Sequence, residues 1–96
     1  MSWLAECKRL SFVLGSRGIR INTVSLGATL TERFVRRLEN RVEEDVPARE
    51  TPETIPLGEY GDPDDAAHVI VTLLGRFANH LTGGNIIFDG GITRAY

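Results

Sequence analysis

Two short segments rich in β-branched and apolar residues lie near opposite ends of this sequence, and they constrain its fold more than any other feature. Residues 19–25 read Ile-Arg-Ile-Asn-Thr-Val-Ser, a run that is too short for a stable helix and predicts a strand. Residues 85–89 read Asn-Ile-Ile-Phe-Asp between two glycine pairs, and this continuous apolar centre is typical of a strand covered on both faces. We therefore expect two parallel strands joined by a right-handed crossover in one sheet.

Helical periodicity precedes and follows the first of these segments. Apolar residues within 3–14 follow the three-and-four spacing of one buried helical face, and Gly18 is the expected left-handed residue at the end of that helix. Residues 30–42 predict a second, highly charged helix with Thr29 or Thr31 as its N-cap. The chain is thus expected to begin helix, strand, helix.

A third helix has a strong start signal in the sequence. Asp62 can act as its N-cap, and Pro63 is suited to the first helical position because its φ angle is already fixed. The apolar residues that follow are expected to form one broad stripe along the helix, which ends near Gly75. The stripe consists of Ala66, Ala67, Val69, Ile70, Leu73 and Leu74.

Residues 43–63 contain all 4 prolines of the chain and no regular apolar pattern, so they predict a long loop. Loops of this length are uncommon in compact domains and usually serve as lids or binding loops. A functional segment is therefore expected between the second and third helices.

Composition narrows the classes of partner. The 11 basic and 13 acidic residues are scattered, which argues against nucleic acid, and no apolar run approaches the length of a membrane span. The single Cys7 excludes an internal disulfide and suits a reduced, cytoplasmic protein. His68 and His80 have no ligand-type neighbours at metal-binding spacing, so we expect no metal site.

Two strands alone do not form an independently stable sheet. Residues 1–96 are therefore interpreted as a single partial domain of the α/β class. We expect it to be completed by copies of itself or by a further N-terminal part.

Three stretches of the chain, taken in order, resemble short-chain dehydrogenases/reductases. Residues 17–31 resemble the sixth strand of that family and its following loop, residues 56–67 the approach to its last large helix, and residues 81–91 its final strand and turn. Together they span nearly the whole chain. The resemblance implies the C-terminal fragment of a Rossmann-type, doubly wound parallel sheet that binds NAD or NADP.

The resemblance also implies a cofactor site in the loop after the first strand, made by Leu26, Gly27, Thr29 and Thr31. Gly27 and Thr29 would act through their backbone, and the Thr31 hydroxyl would reach the pyrophosphate. Leu26 stands where the family usually has proline, so the loop is expected to be less rigid. Ligands bind outside the carboxyl ends of parallel strands, where a helix N-terminus offers free N–H groups, which agrees with this assignment. The alternative role for Thr31 is a plain N-cap.

The family's glycine-rich phosphate loop and its catalytic tyrosine and lysine have no counterpart in this sequence. By the resemblance the lysine would fall about one residue before Met1, so no catalytic residue is predicted. The expected function is part of an NAD(P)-dependent oxidoreductase acting on a carbonyl or alcohol, with the fragment inactive alone. The substrate and the choice between NAD and NADP stay open.

Two further interpretations accompany this one. The helix from Asp64 to Leu74 and the strand from Asn85 to Asp89 resemble a subunit interface of the family, so the chain could be a non-catalytic homo-oligomerisation fragment. It could also be the product of a misassigned start or of proteolysis, with no function of its own.

The arginines of residues 32–37 have two possible roles. They could bind an anion, either an anionic substrate or the extra phosphate of NADP, or they could pair along the helix with nearby polar residues. Pairing is the preferred interpretation, and the candidate partners are Glu32, Glu39 and Asn40.

Overall fold

The computed structural model describes residues 2–39 and 51–93. Its elements follow the predicted order of helix, strand, helix, loop, helix and strand. They are α1 (Trp3–Leu14), β1 (Thr23–Leu26), α2 (Glu32–Glu39), α3 (Pro63–Leu74) and β2 (Asn85–Phe88). The predicted α/β class is confirmed.

The two strands are hydrogen-bonded neighbours in one sheet. The Thr23 N–H donates to the Gly84 carbonyl over 3.0 Å, and the Gly27 N–H donates to the Phe88 carbonyl over 2.8 Å. Each bond lies the same number of residues further along both segments, so the strands run in parallel. This confirms the predicted pairing of the two apolar segments.

The predicted start of the first strand at residue 19 is wrong, because β1 begins only at Thr23. The preceding residues form hydrogen bonds with a turn instead of a strand. The Ile21 N–H donates to the Thr82 hydroxyl over 3.1 Å, and the Asn22 side chain donates to the Leu81 carbonyl over 2.9 Å. Side-chain bonds of this kind compete with a regular sheet ladder.

Helix α1 has the predicted bounds, and Gly18 has the predicted left-handed backbone with φ of 73°. Gly18 follows a short 3₁₀ turn at Gly15–Arg17, and its N–H donates to the Gly15 carbonyl. The expected burial of the whole apolar face is wrong: Cys7 is buried, but Trp3 is 72% exposed. No described residue covers that end of the helix.

Helix α3 begins at Pro63 and is capped as predicted, with the Asp64 N–H donating to the Asp62 carboxylate over 2.7 Å. Its other end is held by Arg20, whose guanidinium donates to the Leu73 carbonyl over 2.9 Å and to the Ala78 carbonyl over 2.8 Å. A cation at this end also offsets the negative pole of the helix dipole.

Helix α3 ends at Leu74, close to the predicted end near Gly75, and its apolar stripe is only partly buried. Ala66 is buried, whereas Leu74 is 76% exposed. The strand β2 was expected to be covered on both faces, yet Ile86 and Ile87 are exposed. Successive side chains of a strand point to opposite faces of the sheet, so these two exposures show that neither face of β2 is fully covered within the described residues.

Helix α2 begins two residues later than predicted, at Glu32, and residues 40–42 of the predicted helix lie outside the described residues. The same is true of residues 43–50 of the predicted loop. Residues 51–62 contain no helix or regular strand, and Ile55 within them is buried.

The chain contacts define two compact units. The first unit comprises the described residues of 1–25 and 68–86, and its buried residues are Cys7, Ser11 and Ala78. The second comprises those of 26–67 and 87–96, and its buried residues are Thr29, Ile55 and Ala66. Within the described ranges, none of the helices has the length and apolar character needed to cross a membrane.

Candidate functional site

The loop that follows β1 is fixed by backbone hydrogen bonds to the loop that precedes α3. The Gly61 N–H donates to the Ala28 carbonyl over 2.9 Å, and the Leu30 N–H donates to the Gly61 carbonyl over 2.8 Å. This pair of bonds makes a parallel bridge between Thr29 and Gly61. The backbone of the predicted cofactor loop is therefore held in place before any ligand binds.

Two glycines make this close approach possible. A Cβ on Gly27 would lie 2.7 Å from the Cβ of Asp89 and 3.0 Å from its Cα. A Cβ on Gly61 would lie 2.8 Å from the Phe88 ring and 3.1 Å from the Thr29 hydroxyl. Glycine suits both positions, because a side chain at 27 would overlap Asp89, including its backbone, and one at 61 would force the Phe88 ring to shift.

Asp89 organises the turn after β2. Its carboxylate accepts the Gly91 N–H and the Thr93 N–H, each over 2.9 Å. A hydrogen bond from the Thr93 side chain, followed by backbone N–H bonds, holds the pKa of Asp89 below its ordinary value. Asp89 therefore caps the turn after β2 in its ionised form, and its Cα and Cβ lie close to Gly27 in the loop after β1.

The two threonines of the loop have different roles. Thr29 is 5% exposed, and its hydroxyl donates to the Gly27 carbonyl over 3.0 Å. Thr31 is exposed and is the N-cap of α2, since its hydroxyl oxygen accepts the Phe34 N–H over 3.3 Å. Within the described part of the chain, the Thr31 hydroxyl hydrogen has no acceptor.

The structure brings all four predicted cofactor-binding residues to one cavity of about 410 Å³, which we call the cationic cavity. It lies at the carboxyl end of β1 and the beginning of α2. Its lining residues are Leu26, Gly27, Ala28, Thr29, Thr31, Arg33, Phe34 and Arg37.

The predicted cofactor site did not include Arg33, Phe34 and Arg37, although anion binding by the arginines of residues 32–37 was the less favoured interpretation of the sequence. The expected ion pairing along the helix occurs for Arg36, which pairs with Glu32. Arg33 and Arg37 make no ion pair with any residue that the structure describes. The signal was present in the spacing: Glu32 pairs best with the residue four positions on, which leaves the other two arginines together on a different face.

Two backbone N–H groups at the start of α2, those of Glu32 and Arg33, add further donors, whereas those of the next two residues are already bonded. The Val35 N–H donates to the Thr31 carbonyl and the Phe34 N–H to the Thr31 hydroxyl. No acceptor for the Glu32 and Arg33 N–H groups exists among residues 2–39 and 51–93. Free N–H groups at a helix start, a hydroxyl hydrogen and two guanidinium groups together form a donor set for an anion such as a phosphate.

A second cavity of about 780 Å³ lies in the same unit, and we call it the acidic cavity. Carboxylates line it without any cation among the lining residues, and they belong to Glu59, Asp62, Asp65 and Asp89. Tyr60 also lines it, and the Tyr60 ring packs edge-on against Phe34 with centroids 5.2 Å apart. The sequence did not predict this cavity. The parts of the chain that are described contain no group of three metal-ligating side chains.

Comparison with known proteins places this geometry in a family. The profile of a family described as enoyl-(acyl carrier protein) reductase matches residues 2–93. The chain is 35% identical over 85 residues to a 3-oxoacyl-(acyl-carrier-protein) reductase of Rickettsia conorii, covering 88% of this chain and 33% of the relative. It is 35% identical over 93 residues to an L-rhamnose 1-dehydrogenase (NAD(P)(+)) of Azotobacter vinelandii, covering 96% of this chain and 33% of the relative. The chain thus spans about a third of the length of these relatives.

Solved structures agree with the sequence matches. A short chain oxidoreductase of Pseudomonas aeruginosa with an atypical catalytic center superimposes with a TM-score of 0.79 at 26% identity, covering 97% of this chain and 38% of that one. YwfH, an NADPH dependent reductase involved in bacilysin biosynthesis, superimposes with a TM-score of 0.81 at 26% identity, covering 97% of this chain and 37% of that one. From the profile match, the sequence identities and the shared Rossmann-type architecture, the chain belongs to the short-chain dehydrogenase/reductase family.

Proposed function

We propose that residues 1–96 are a single partial domain, the C-terminal portion of an NAD(P)-dependent oxidoreductase that acts on a carbonyl or alcohol. In this proposal the cationic cavity holds part of the nicotinamide cofactor. The observation that carries it is the meeting of Leu26, Gly27, Thr29 and Thr31 at one cavity beyond the carboxyl end of β1. That is where ligands bind in parallel sheets.

Each loop residue has a distinct part in holding the cofactor. The Gly27 N–H is already bonded to Phe88, so Gly27 contributes its carbonyl, which accepts the Thr29 hydroxyl and has a second lone pair for the cofactor. The Thr29 N–H has no acceptor among the described residues and can donate to a carboxamide oxygen. The Thr31 hydroxyl hydrogen, with the two free N–H groups of α2, can donate to the pyrophosphate.

In the proposed reaction the cofactor and this chain have different roles. A nicotinamide cofactor supplies the hydride chemistry when it is bound. The chain itself binds and orients, because its loop is fixed by the Ala28, Gly61 and Leu30 backbone bonds before binding. A site prepared in advance loses less conformational entropy when the ligand arrives.

Titration of NADH and NADPH into the purified chain tests the cofactor site. Thr31→Val removes the hydroxyl donor and should weaken binding by about tenfold, the loss of one charge-assisted hydrogen bond. Thr31→Ser keeps both the donor and the cap and should bind as the natural chain does. Helix content measured by circular dichroism separates a lost cap from a lost ligand contact. Equal affinity for all three chains would contradict the proposed role of Thr31.

We further propose that the chain does not turn over a carbonyl substrate alone. General acid catalysis requires a tyrosine or similar donor close to the carbonyl oxygen. The sequence contains no Tyr-x-x-x-Lys pattern. Loss of NADPH absorbance at an ordinary enzymatic rate, with a panel of carbonyl compounds and the purified chain, would overturn this part of the proposal.

A second candidate function is homo-oligomerisation through α3 and β2. The observation that favours it is the exposure of apolar residues on these elements, notably Ile70, Leu74 and Ile86. Apolar surface of this kind is expected to be covered in an assembly. Leu74→Asp should dissociate the oligomer in sedimentation velocity, whereas Ser16→Asp, on the exposed turn after α1, should leave its size unchanged. Unchanged size in both variants would exclude this surface.

A further inference from the structure

The proposed cofactor contacts do not explain why Arg33 and Arg37 line the cationic cavity. Both line the cationic cavity, yet the roles above need only the loop backbone, the Thr31 hydroxyl and the helix start. Both residues are exposed, so their guanidinium groups are accessible to a ligand.

The residues of α2 that line the cavity carry two positive charges and no negative charge. Arg33 and Arg37 are four residues apart, a spacing at which like charges on a helix repel each other. The helix has an internal partner for Arg36 in Glu32, but none of the described residues forms an ion pair with the other two arginines. None of the residues that line this cavity is acidic. A bound anion would relieve the repulsion, and the fold supplies no substitute for it within the described residues.

Apolar groups accompany the charges. Leu26 and Phe34 line the same cavity, and the Phe34 ring is held from behind by its edge-on contact with Tyr60. A site with cations and a fixed aromatic wall suits a molecule that has an anionic group and an apolar body, and the cations alone can bind its anionic group.

We propose that Arg33 and Arg37 form an anion-binding pair for a small organic anion, with a phosphate or carboxylate held by the two guanidinium groups. This deepens the proposed function because it assigns an anionic ligand group to the cavity of the proposed cofactor site, and to that extent it rests on it. Arginine suits the role because its planar group can give two parallel hydrogen bonds to one phosphate or carboxylate.

The same chemistry has two possible sources, and both carry a phosphate or carboxylate. One is the pyrophosphate of the cofactor, which the proposed function assigns to the Thr31 side of the cavity. The other is the anionic group of the substrate. Inorganic pyrophosphate, titrated with and without saturating NADH, distinguishes them: competition assigns the arginines to the cofactor, and independent binding assigns them to the substrate.

The chain offers a matched control for this experiment. Arg33→Gln with Arg37→Gln removes the proposed pair, whereas Arg36→Gln makes the same kind of change on the same helix at a residue that does not line the cavity. Calorimetry with inorganic pyrophosphate at constant ionic strength should show about a tenfold loss of affinity or more in the double variant. Arg36→Gln should stay within about twofold of the natural chain because exposed, screened charges contribute little.

Failure of this inference and failure of the proposed function give different results. If pyrophosphate does not bind the natural chain, or if Arg36→Gln weakens binding as much as the double variant, the anion-binding pair is overturned. If pyrophosphate binding depends on Arg33 and Arg37 while NADH does not bind at all, the pair stands and the cofactor site falls. If NADH binds and pyrophosphate is insensitive to the arginines, the cofactor site stands and the pair falls.

Discussion

The two cavities of the second unit differ in charge and in what their charged side chains already do. In the acidic cavity, two of the four carboxylates already accept backbone hydrogen bonds: Asp62 accepts the Asp64 N–H, and Asp89 accepts the Gly91 and Thr93 N–H groups. In the cationic cavity, Arg33 and Arg37 have no such partner in the described part of the chain. The difference teaches that charge along a cavity wall indicates a ligand only after its internal partners have been counted.

The cavities also share a wall. Gly27 lines the cationic cavity and contacts Asp89, which lines the acidic one. The Phe34 ring, on the cationic side, packs edge-on against Tyr60 on the acidic side. Substitutions in this wall test whether the acidic side is a structural support for the ligand side.

The largest effect is expected from Gly27→Ala. The added Cβ would overlap Asp89, including its backbone, so the loop must shift. Overpacking of this kind typically costs about 1–3 kcal/mol of unfolding free energy. Urea denaturation should show the loss, and pyrophosphate affinity should fall with it. Gly15→Ala is the control because that position is helical and open, and it should be neutral or stabilising.

A smaller loss is expected from Gly61→Ala, whose Cβ would meet the Phe88 ring and the Thr29 hydroxyl. A side-chain ring can move more easily than a backbone, so the cost should be about 1 kcal/mol. Phe88→Leu made together with Gly61→Ala should recover part of the loss, which a double-mutant cycle in urea measures. Strictly additive effects would show that the ring is not the obstacle.

The next effect depends on pH. The lowered pKa of Asp89 means that its ionised form is favoured in the folded chain, so its contribution to stability is present above the ordinary aspartate pKa of about 3.9. That contribution is lost as the pH falls through the lower, folded-state pKa. Asp89→Asn should therefore be less stable than the natural chain near neutral pH, and the two urea midpoints should converge in acid. A constant difference across this range would exclude the ionised cap.

The smallest effect is expected from Tyr60→Leu, which removes the edge-on contact with Phe34. Aromatic pairs are worth about 0.5–1.5 kcal/mol beyond the area they bury. The unfolding free energy should fall by an amount near the lower end of this range because both rings are only half-buried. Nuclear magnetic resonance shifts of the Phe34 ring report whether the wall has moved, and unchanged shifts would show that the contact does not position it.

Local chemistry was sufficient to predict much of this structure from the sequence. The bounds of α1, the Asp62 cap, the Pro63 start and the parallel pairing all depend on neighbouring residues or on short periodic patterns. The grouping of Leu26, Gly27, Thr29 and Thr31 followed from the resemblance, since these residues are close together in the chain.

Features that depend on distant residues were not predicted. The exposure of Trp3 and Leu74 depends on which neighbours the chain provides, and periodicity alone cannot show that. The late start of β1 arises from side-chain bonds to residues about sixty positions away. The acidic cavity joins residues of the loop before α3 to the turn after β2, so no local pattern reveals it.

The backbone hydrogen bonds that join Gly61 to Ala28 and Leu30 fix position 61 close to its neighbours, and this restricts which residues members of the family can have there. Because the Phe88 ring and the Thr29 hydroxyl fill the space a side chain at position 61 would need, these three positions are expected to change together among relatives. A larger residue at 61 should be accompanied by a smaller one at 88. Evolutionary drift in the loop before α3 is therefore limited by a strand that lies far from it in sequence.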